Sequence, residues 1–163
     1  MNISILLPYK ENFSPEYPGA VSLFVYETSR ISKFKKEITV FGNTNFRKIF
    51  NLKYVNINTK KELFNSQTKD YVNDFIKLEK KNNSSIIEVH NRPSYIHIIS
   101  KKINTKILTL YFHNDHLSME GSKTISQRKS LLKQCYKIIF NSAWSKKRFL
   151  EGLENKFVNS NKL

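Results

Sequence analysis

The stretch from Lys106 to Gly121, KILTLYFHNDHLSMEG, restricts the possible folds more than any other part of the chain. It opens with the apolar run Ile107-Leu108-Thr109-Leu110-Tyr111-Phe112, whose length and β-favouring side chains suit a buried strand better than a helix. The run stops at once in His113-Asn114-Asp115-His116, four residues that can donate, accept or titrate. A second run, Ile86-Ile87-Glu88-Val89, stops the same way in His90-Asn91-Arg92. Buried strands that deliver polar clusters at their carboxyl ends are how open α/β sheets present ligand sites.

The flanking segments fit that class. Asn2–Pro8, Glu37–Phe41, Lys53–Ile57, Ser85–Val89 and Lys137–Asn141 read as further strands. Val21, Phe24, Val25, Thr28 and Ile31 recur at helical spacing after Gly19, and Lys33–Lys36 place positive charge at that helix's end. Asn43 and Thr44 are suited to cap a short helix through Ile49-Phe50. Tyr71, Val72, Phe75 and Ile76 mark another helix. Pro93 suits the first position of one with Tyr95, Ile96, Ile99 and Ile103 inward. Leu131, Leu132, Cys135 and Tyr136 mark the next, and Phe149, Leu150 and Leu153 a last one capped by Asn141 or Ser142. The tail has room for a seventh strand at Phe157-Val158, or frays.

Alternating strands and helices predict an α/β, Rossmann-like, doubly wound fold with a mainly parallel sheet of about six or seven strands. The expectation is one domain over residues 1–163. If the strands take the common order 3-2-1-4-5-6, the loop from Tyr9 to Gly19 faces the His90-Asn91-Arg92 corner, with His113 one strand further along.

Composition narrows the classes. At 39% apolar the chain can build a core, and no apolar run approaches the ~20 residues of a membrane span. The N-terminus lacks the pattern of a secretory signal, and the one cysteine, Cys135, excludes an internal disulfide. The expected location is cytoplasmic. The formal charge of +15 predicts attraction to polyanions, but the basic residues are scattered in small groups rather than in an arm or a block. Arg128, Lys129, Lys133 and Lys137 are dense enough to be a patch for anionic lipid. No nucleic-acid-binding motif is present, and the aromatics fall on core-facing positions, so that class rests on charge alone.

Pro18-Gly19-Ala20 offers a helix N-terminus as an anion seat or is an ordinary tight turn; the phosphate-binding patterns GxxxxGK[ST] and GxGxxG are both absent. His113 and Asp115 are a possible base and orienting carboxylate, which the loop would have to curve together. A zinc site would draw on His90, His113, His116 and Cys135, but the spacing lacks a second local ligand pair, and structural or substrate-contacting histidines are the preferred reading. His97 is expected at the surface. A serine-hydrolase elbow is missing. No metal and no cofactor are called for.

Several stretches, taken in order, carry a family resemblance. Glu11-Asn12-Phe13-Ser14 leads to Gly19-Ala20-Val21-Ser22 opening a helix. Ile87-Glu88-Val89-His90-Asn91 and Leu110-Tyr111-Phe112-His113-Asn114-Asp115 end strands in polar clusters. Ile138-Ile139-Phe140-Asn141-Ser142 precedes Ala143-Trp144-Ser145-Lys146. The chain thereby resembles the N-terminal domain of GT-B glycosyltransferases of the large retaining group called family four. The resemblance implies transfer of a sugar from a nucleotide-sugar donor to a saccharide or lipid-linked acceptor, in building surface polysaccharide or lipopolysaccharide. It implies Gly19 and Ala20 as the loop nearing phosphate or acceptor, His113 as the contact to the transferred sugar, and His90, Asn91 and Asp115 on the acceptor side. It also implies a second, donor-binding domain with a Glu-x7-Glu stretch, not found in these residues, so that the chain alone is expected to be inactive. The location it implies is cytoplasmic, peripheral on the inner face of the membrane. The alternative is a noncatalytic basic α/β domain that binds nucleic acid or an anionic membrane surface.

Overall fold

The computed structural model describes residues 1–59, 66–103, 107–158 and 161–163. Six strands form one all-parallel sheet: β1 (Ile3–Leu6), β2 (Ile38–Gly42), β3 (Tyr54–Asn56), β4 (Ile86–His90), β5 (Ile107–Phe112) and β6 (Lys137–Phe140). Their order is β3-β2-β1-β4-β5-β6, the doubly wound Rossmann-like arrangement. The chain reverses direction across the sheet between β1 and β4, where Leu6 pairs with Val89 and Ile5 with Glu88.

The helices are α1 (Ala20–Ile31), α2 (Gln67–Asn82), α3 (Pro93–Lys102), α4 (Ile125–Gln134), α5 (Ala143–Leu150) and the single turn α6 (Asn155–Val158). Their ends are set by local chemistry. Ser66 caps α2 by accepting from the Lys69 amide, and Asn83 closes it in the left-handed region, where asparagine is tolerated. Pro93 opens α3 at a position where its missing N–H costs nothing. Thr124 and Gln127 form a reciprocal capping box on α4, and Ser142 caps α5.

Right-handed crossovers explain how the layers divide. Moving from β1 towards β3 puts connections on one face; moving from β1 towards β6 puts them on the other. The second face carries the larger core. Leu6, Phe41, Val89, Leu110 and Phe112 meet Tyr71 and Phe75 of α2, Ile96 and Ile99 of α3, Leu131 of α4 and Phe149 of α5, all almost wholly buried. At about 1.5–3 kcal/mol per buried side chain of this size, this layer supplies most of the drive to fold. The first face is thinner. Among the described residues α1 is the helix that covers it, packing Val21 and Val25 on Ile5, Leu7, Ile38 and Val40.

Four sequence expectations are corrected. Residues 43–50 do not form a helix: the Asn43 side chain donates to the Ile57 carbonyl and the Thr44 amide to Asn56 Oδ1, so side chains satisfy the backbone in an irregular path. That path seats Phe50 on the α1 face, stacked on Tyr26. Phe157 and Val158 belong to α6, not to a seventh strand. Several strands are shorter than their apolar runs: β1 ends at Leu6, β3 spans Tyr54–Asn56 and β6 ends at Phe140. The α1 helix ends at Ile31, and a separate 3-10 turn, Lys35–Glu37, precedes β2.

Candidate functional site

A cleft of about 540 Å³ opens at the carboxyl end of the sheet, where the strand order reverses. Pro8 and Glu11 line it from the loop after β1, and Ala20, Val21 and Phe24 from α1. Asn91 and Arg92 come from the corner after β4, His113 and Asn114 from the end of β5, and Asn141 from the end of β6. Parallel strands put all these termini on one edge, which is why residues over a hundred positions apart in sequence share one rim.

The loop after β1 is held from below. Its Tyr9 amide donates to Tyr95 Oη of α3 (3.1 Å), and Tyr71 Oη of α2 donates to the Leu7 carbonyl (3.0 Å). Both tyrosines are buried, and burial raises both phenols above the ordinary range, so they stay neutral. Further on, the Gly19 amide donates to the Asn12 carbonyl (3.2 Å), closing the loop onto α1. Glu11 Oε1 then accepts from the Val21 (2.9 Å) and Ser22 (3.1 Å) amides. A carboxylate of the chain itself thus occupies the electropositive start of α1.

The corner after β4 is equally determined. Asn91 takes a left-handed backbone conformation (φ 54°) and donates its amide to the Tyr111 carbonyl (2.7 Å). Its side-chain oxygen accepts from the His113 amide (3.3 Å), while Asn141 Nδ2 donates to the His113 carbonyl (2.7 Å). The His113 backbone is therefore gripped from the strands on either side. Arg92 Nη1 donates to the Asn91 carbonyl (2.8 Å).

Three titratable side chains run in line beneath the rim. Glu88 and His90, two residues apart on β4, project from the same face, and Glu88 Oε1 lies 2.5 Å from His90 Nε2. His90 Nδ1 lies 2.8 Å from His113 Nε2. His90 is 1% exposed. Tyr111 stacks on both imidazoles, and Phe24 meets the His113 ring edge-on at a centroid distance of 4.9 Å. Burial among these rings, reinforced by His90, lowers His113 to a pKa of about 4, against a smaller opposing pull from Glu88. His113 is thus neutral near pH 7.

The sequence-predicted residues divide. Ala20, Asn91 and His113 line the cleft, and His90 stands directly beneath His113. Gly19 is the N-cap of α1, with ordinary negative φ (−72°), and its missing side chain leaves space for Glu11. Asp115 turns away. It accepts from the Leu117 amide (3.1 Å) and pairs with Arg148 Nε (3.2 Å) of α5. Burial pushes its carboxyl up, but these two donors together hold it below the ordinary carboxylate range. The possible partnership of His113 with Asp115 is not formed; His113 is partnered by His90.

His116 and Cys135 lie apart from this line. His116 is wholly buried beside Phe112, Phe140 and Phe149, and burial lowers its pKa. The buried Cys135 thiol is pushed up to about 12 by desolvation at the end of α4. Among the described residues no three His, Cys, Asp or Glu side chains are placed to hold one metal ion. His97 is half-buried rather than exposed, with its Nδ1 2.7 Å from Gln134 Oε1.

Sequence reasoning assigned no role to Glu11, Phe24, Glu88 or Tyr111. A signal was available for Glu88: a charged residue two positions before a histidine on an otherwise apolar strand shares its face. Nothing local marks Glu11, whose partners lie ten residues on.

The basic cluster around α4 is largely engaged. Arg128 is buried and donates to the Lys123 and Glu151 carbonyls, Lys129 pairs with Glu154, and Lys137 donates to the Asn161 carbonyl. Trp144, Tyr17 and Tyr136, by contrast, are exposed aromatics. Among the described residues no helix is long and apolar enough to cross a membrane. No family model matches the chain, and no curated protein sequence matches it.

Proposed function

We propose that this chain is the acceptor-side domain of a glycosyltransferase, which transfers a sugar from a nucleotide-sugar donor to a saccharide or lipid-linked acceptor in building a cell-surface polysaccharide or lipopolysaccharide. The observation that carries this reading is the convergence of the β1 loop, the start of α1, the Asn91-Arg92 corner and His113 on one cleft at the point of strand reversal.

The lining suits a sugar. Asn91, Asn114, Asn141 and His113 offer donors and acceptors for hydroxyls, and Phe24, Val21 and Pro8 offer apolar surface for C–H faces. Arg92 supplies a cation for phosphate. Donor binding falls mainly to a second domain, so transfer requires such a domain in cis or in trans. The protein would work in the cytoplasm, peripherally at the inner face of the membrane, where lipid-linked acceptors are held.

Binding tests this directly. A panel of methyl glycosides and nucleotide sugars is titrated into isotope-labelled chain and followed by NMR shift mapping. Glycosides should perturb Asn91, His113, Asn114 and Asn141 together, and Asn91→Ala should weaken the effect. Transfer is then assayed with a donor-binding domain present and absent. Perturbation by duplex DNA at physiological salt, with none by any glycoside or nucleotide sugar, would replace this reading with polyanion binding.

A further inference from the structure

We propose that a second cleft, beside the first, holds the neighbouring sugar unit of the acceptor, so that the chain takes a saccharide of at least two units. That the saccharide is an acceptor rests on the sugar-transfer reading above.

The second cleft, of about 610 Å³, lies on the same edge of the sheet, at the ends of β1, β2 and β3. Tyr9, Lys10 and Asn12 line it from the loop after β1, Asn43 and Asn45 from the chain after β2, and Asn58 from the chain after β3. The β1 loop is the wall that the two clefts share. Pro8 to Glu11 is a β-turn, closed by the Glu11 amide donating to the Pro8 carbonyl (3.1 Å). Its two ends, Pro8 and Glu11, line the first cleft, and its central residues, Tyr9 and Lys10, line the second. Lys10 takes φ 62°, a conformation that turns usually assign to glycine or asparagine. Other residues persist there only where their surroundings hold them, and such positions gather at ligand sites. One turn separates the clefts, so a saccharide laid over it reaches both.

The lining sets the ligand class. Four of its residues are asparagines, and the protein fixes them at one end. Asn43 Nδ2 donates to the Ile57 carbonyl (2.9 Å), and Asn58 Oδ1 accepts from Asn56 Nδ2 (2.9 Å). Asn12 is held through its backbone carbonyl by the Gly19 amide (3.2 Å). Among the described residues Asn43 Oδ1 and Asn58 Nδ2 make no hydrogen bond, which leaves one oriented acceptor and one oriented donor. Asn45 is exposed, and its carboxamide adds one more of each. A hydroxyl both donates and accepts, so a sugar can use all of them. Lys10 is the one charged group among the described residues lining this cleft. A single exposed amine, with no arginine and no helix start beside it, is a poor seat for a nucleotide's phosphates, which call for several donors and cations. The first cleft, with Arg92, keeps that role.

The test is ¹H–¹⁵N NMR titration of the isotope-labelled whole chain with neutral disaccharides and with the methyl glycosides of their component sugars. At least one disaccharide should bind about tenfold more tightly than its methyl glycosides, the worth of one or two added hydrogen bonds. It should shift the side-chain amides of Asn12 and Asn58 together with those of Asn91 and Asn141. Asn58→Ala and Asn45→Ala should each lower that advantage several-fold. The Asn45 side chain makes no hydrogen bond among the described residues, so its removal leaves the fold intact. Equal affinity of every disaccharide and its methyl glycosides, with shifts confined to the first cleft, overturns the second subsite and leaves the sugar-transfer reading in place. So does a disaccharide advantage that neither variant lowers. A disaccharide bound across both clefts, with no transfer when a donor-binding domain is supplied, supports the subsite and removes the transfer reading instead. Absence of binding by any saccharide overturns both.

Discussion

Glu11 Oε1 stands 2.0 Å from where a Cβ on Gly19 would be. The glycine is therefore required by space and not by backbone conformation, since its φ of −72° is open to any residue. The carboxylate it admits satisfies two of the free amides at the start of α1.

Gly19→Ala should expel that carboxylate, and Glu11→Gln should weaken its two bonds. Each should lower stability by about 1–2 kcal/mol, the usual worth of a helix-start acceptor. Because both changes break one contact, the double variant should lose less than the sum. Denaturant unfolding of the three variants checks this; full additivity would mean the contact does not exist in solution.

Stability should depend on pH through two histidines. His113 (about 4) and His116 (lowered) both have folded values below the ordinary 6.5. The unfolded chain therefore binds more protons as pH falls below 6.5, so stability is full above that pH and declines from 6.5 towards 4. Urea midpoints measured between pH 8 and pH 4 should show the decline, and His116→Leu, which keeps an apolar shape among the phenylalanines, should flatten it. An equal slope in that variant would assign the decline to other groups.

Glu79 is 2% exposed and accepts from the Ser4 hydroxyl, the Ser84 amide (2.8 Å) and the Ser84 hydroxyl. It ties the end of α2 to β1 and to the turn entering β4. Glu79→Ala leaves the buried Ser4 hydroxyl and the half-buried Ser84 amide and hydroxyl without this acceptor and should cost about 1–3 kcal/mol. Glu79→Gln keeps an acceptor for Ser84 and should cost less. Thermal melts of the pair give the order.

Gly121 has φ +97°, and a Cβ there would lie 2.6 Å from the Ser94 amide nitrogen, at the start of α3. Gly121→Ala combines an unfavourable backbone conformation with a clash against backbone, and at least about 2 kcal/mol should be lost. Because α3 begins next to Arg92, amide signals of the cleft rim should shift as well. A variant as stable as the parent would contradict the close approach.

Trp144 is 62% exposed on α5, with the Arg148 guanidinium over its ring at 5.5 Å and Lys147 also exposed. If the protein sits on the membrane, this is a suitable contact, since tryptophan favours the headgroup level and basic residues favour anionic lipid. Anionic vesicles should blue-shift Trp144 fluorescence, neutral vesicles should not, and ~0.5 M salt should abolish the shift. Equal response to both vesicle types would remove the electrostatic part.

The layer architecture was legible in the sequence because it rests on local periodicity. Apolar runs of strand length alternate with helical spacings, and Pro93 and Ser142 mark helix starts, which together predict one mainly parallel sheet; the strand order with its switch point between β1 and β4 is only the common arrangement, and the tertiary structure is what establishes it. The polar endings of β4 and β5 were legible for the same reason, and parallel strands then place His90 and His113 on one edge. Tertiary structure alone decided what those residues meet. Asp115 is as close to His113 in sequence as Glu88 is to His90, yet Asp115 turns to Arg148 while His113 finds His90 across the strand pair. Loop curvature sets that choice, and it has no sequence period. Glu11 on the start of α1, and the irregular path that replaces a helix at residues 43–50, are likewise side-chain-to-backbone contacts between distant segments. Their energies are comparable to those of the local preferences they override, and they exist only once the sheet has brought the segments together.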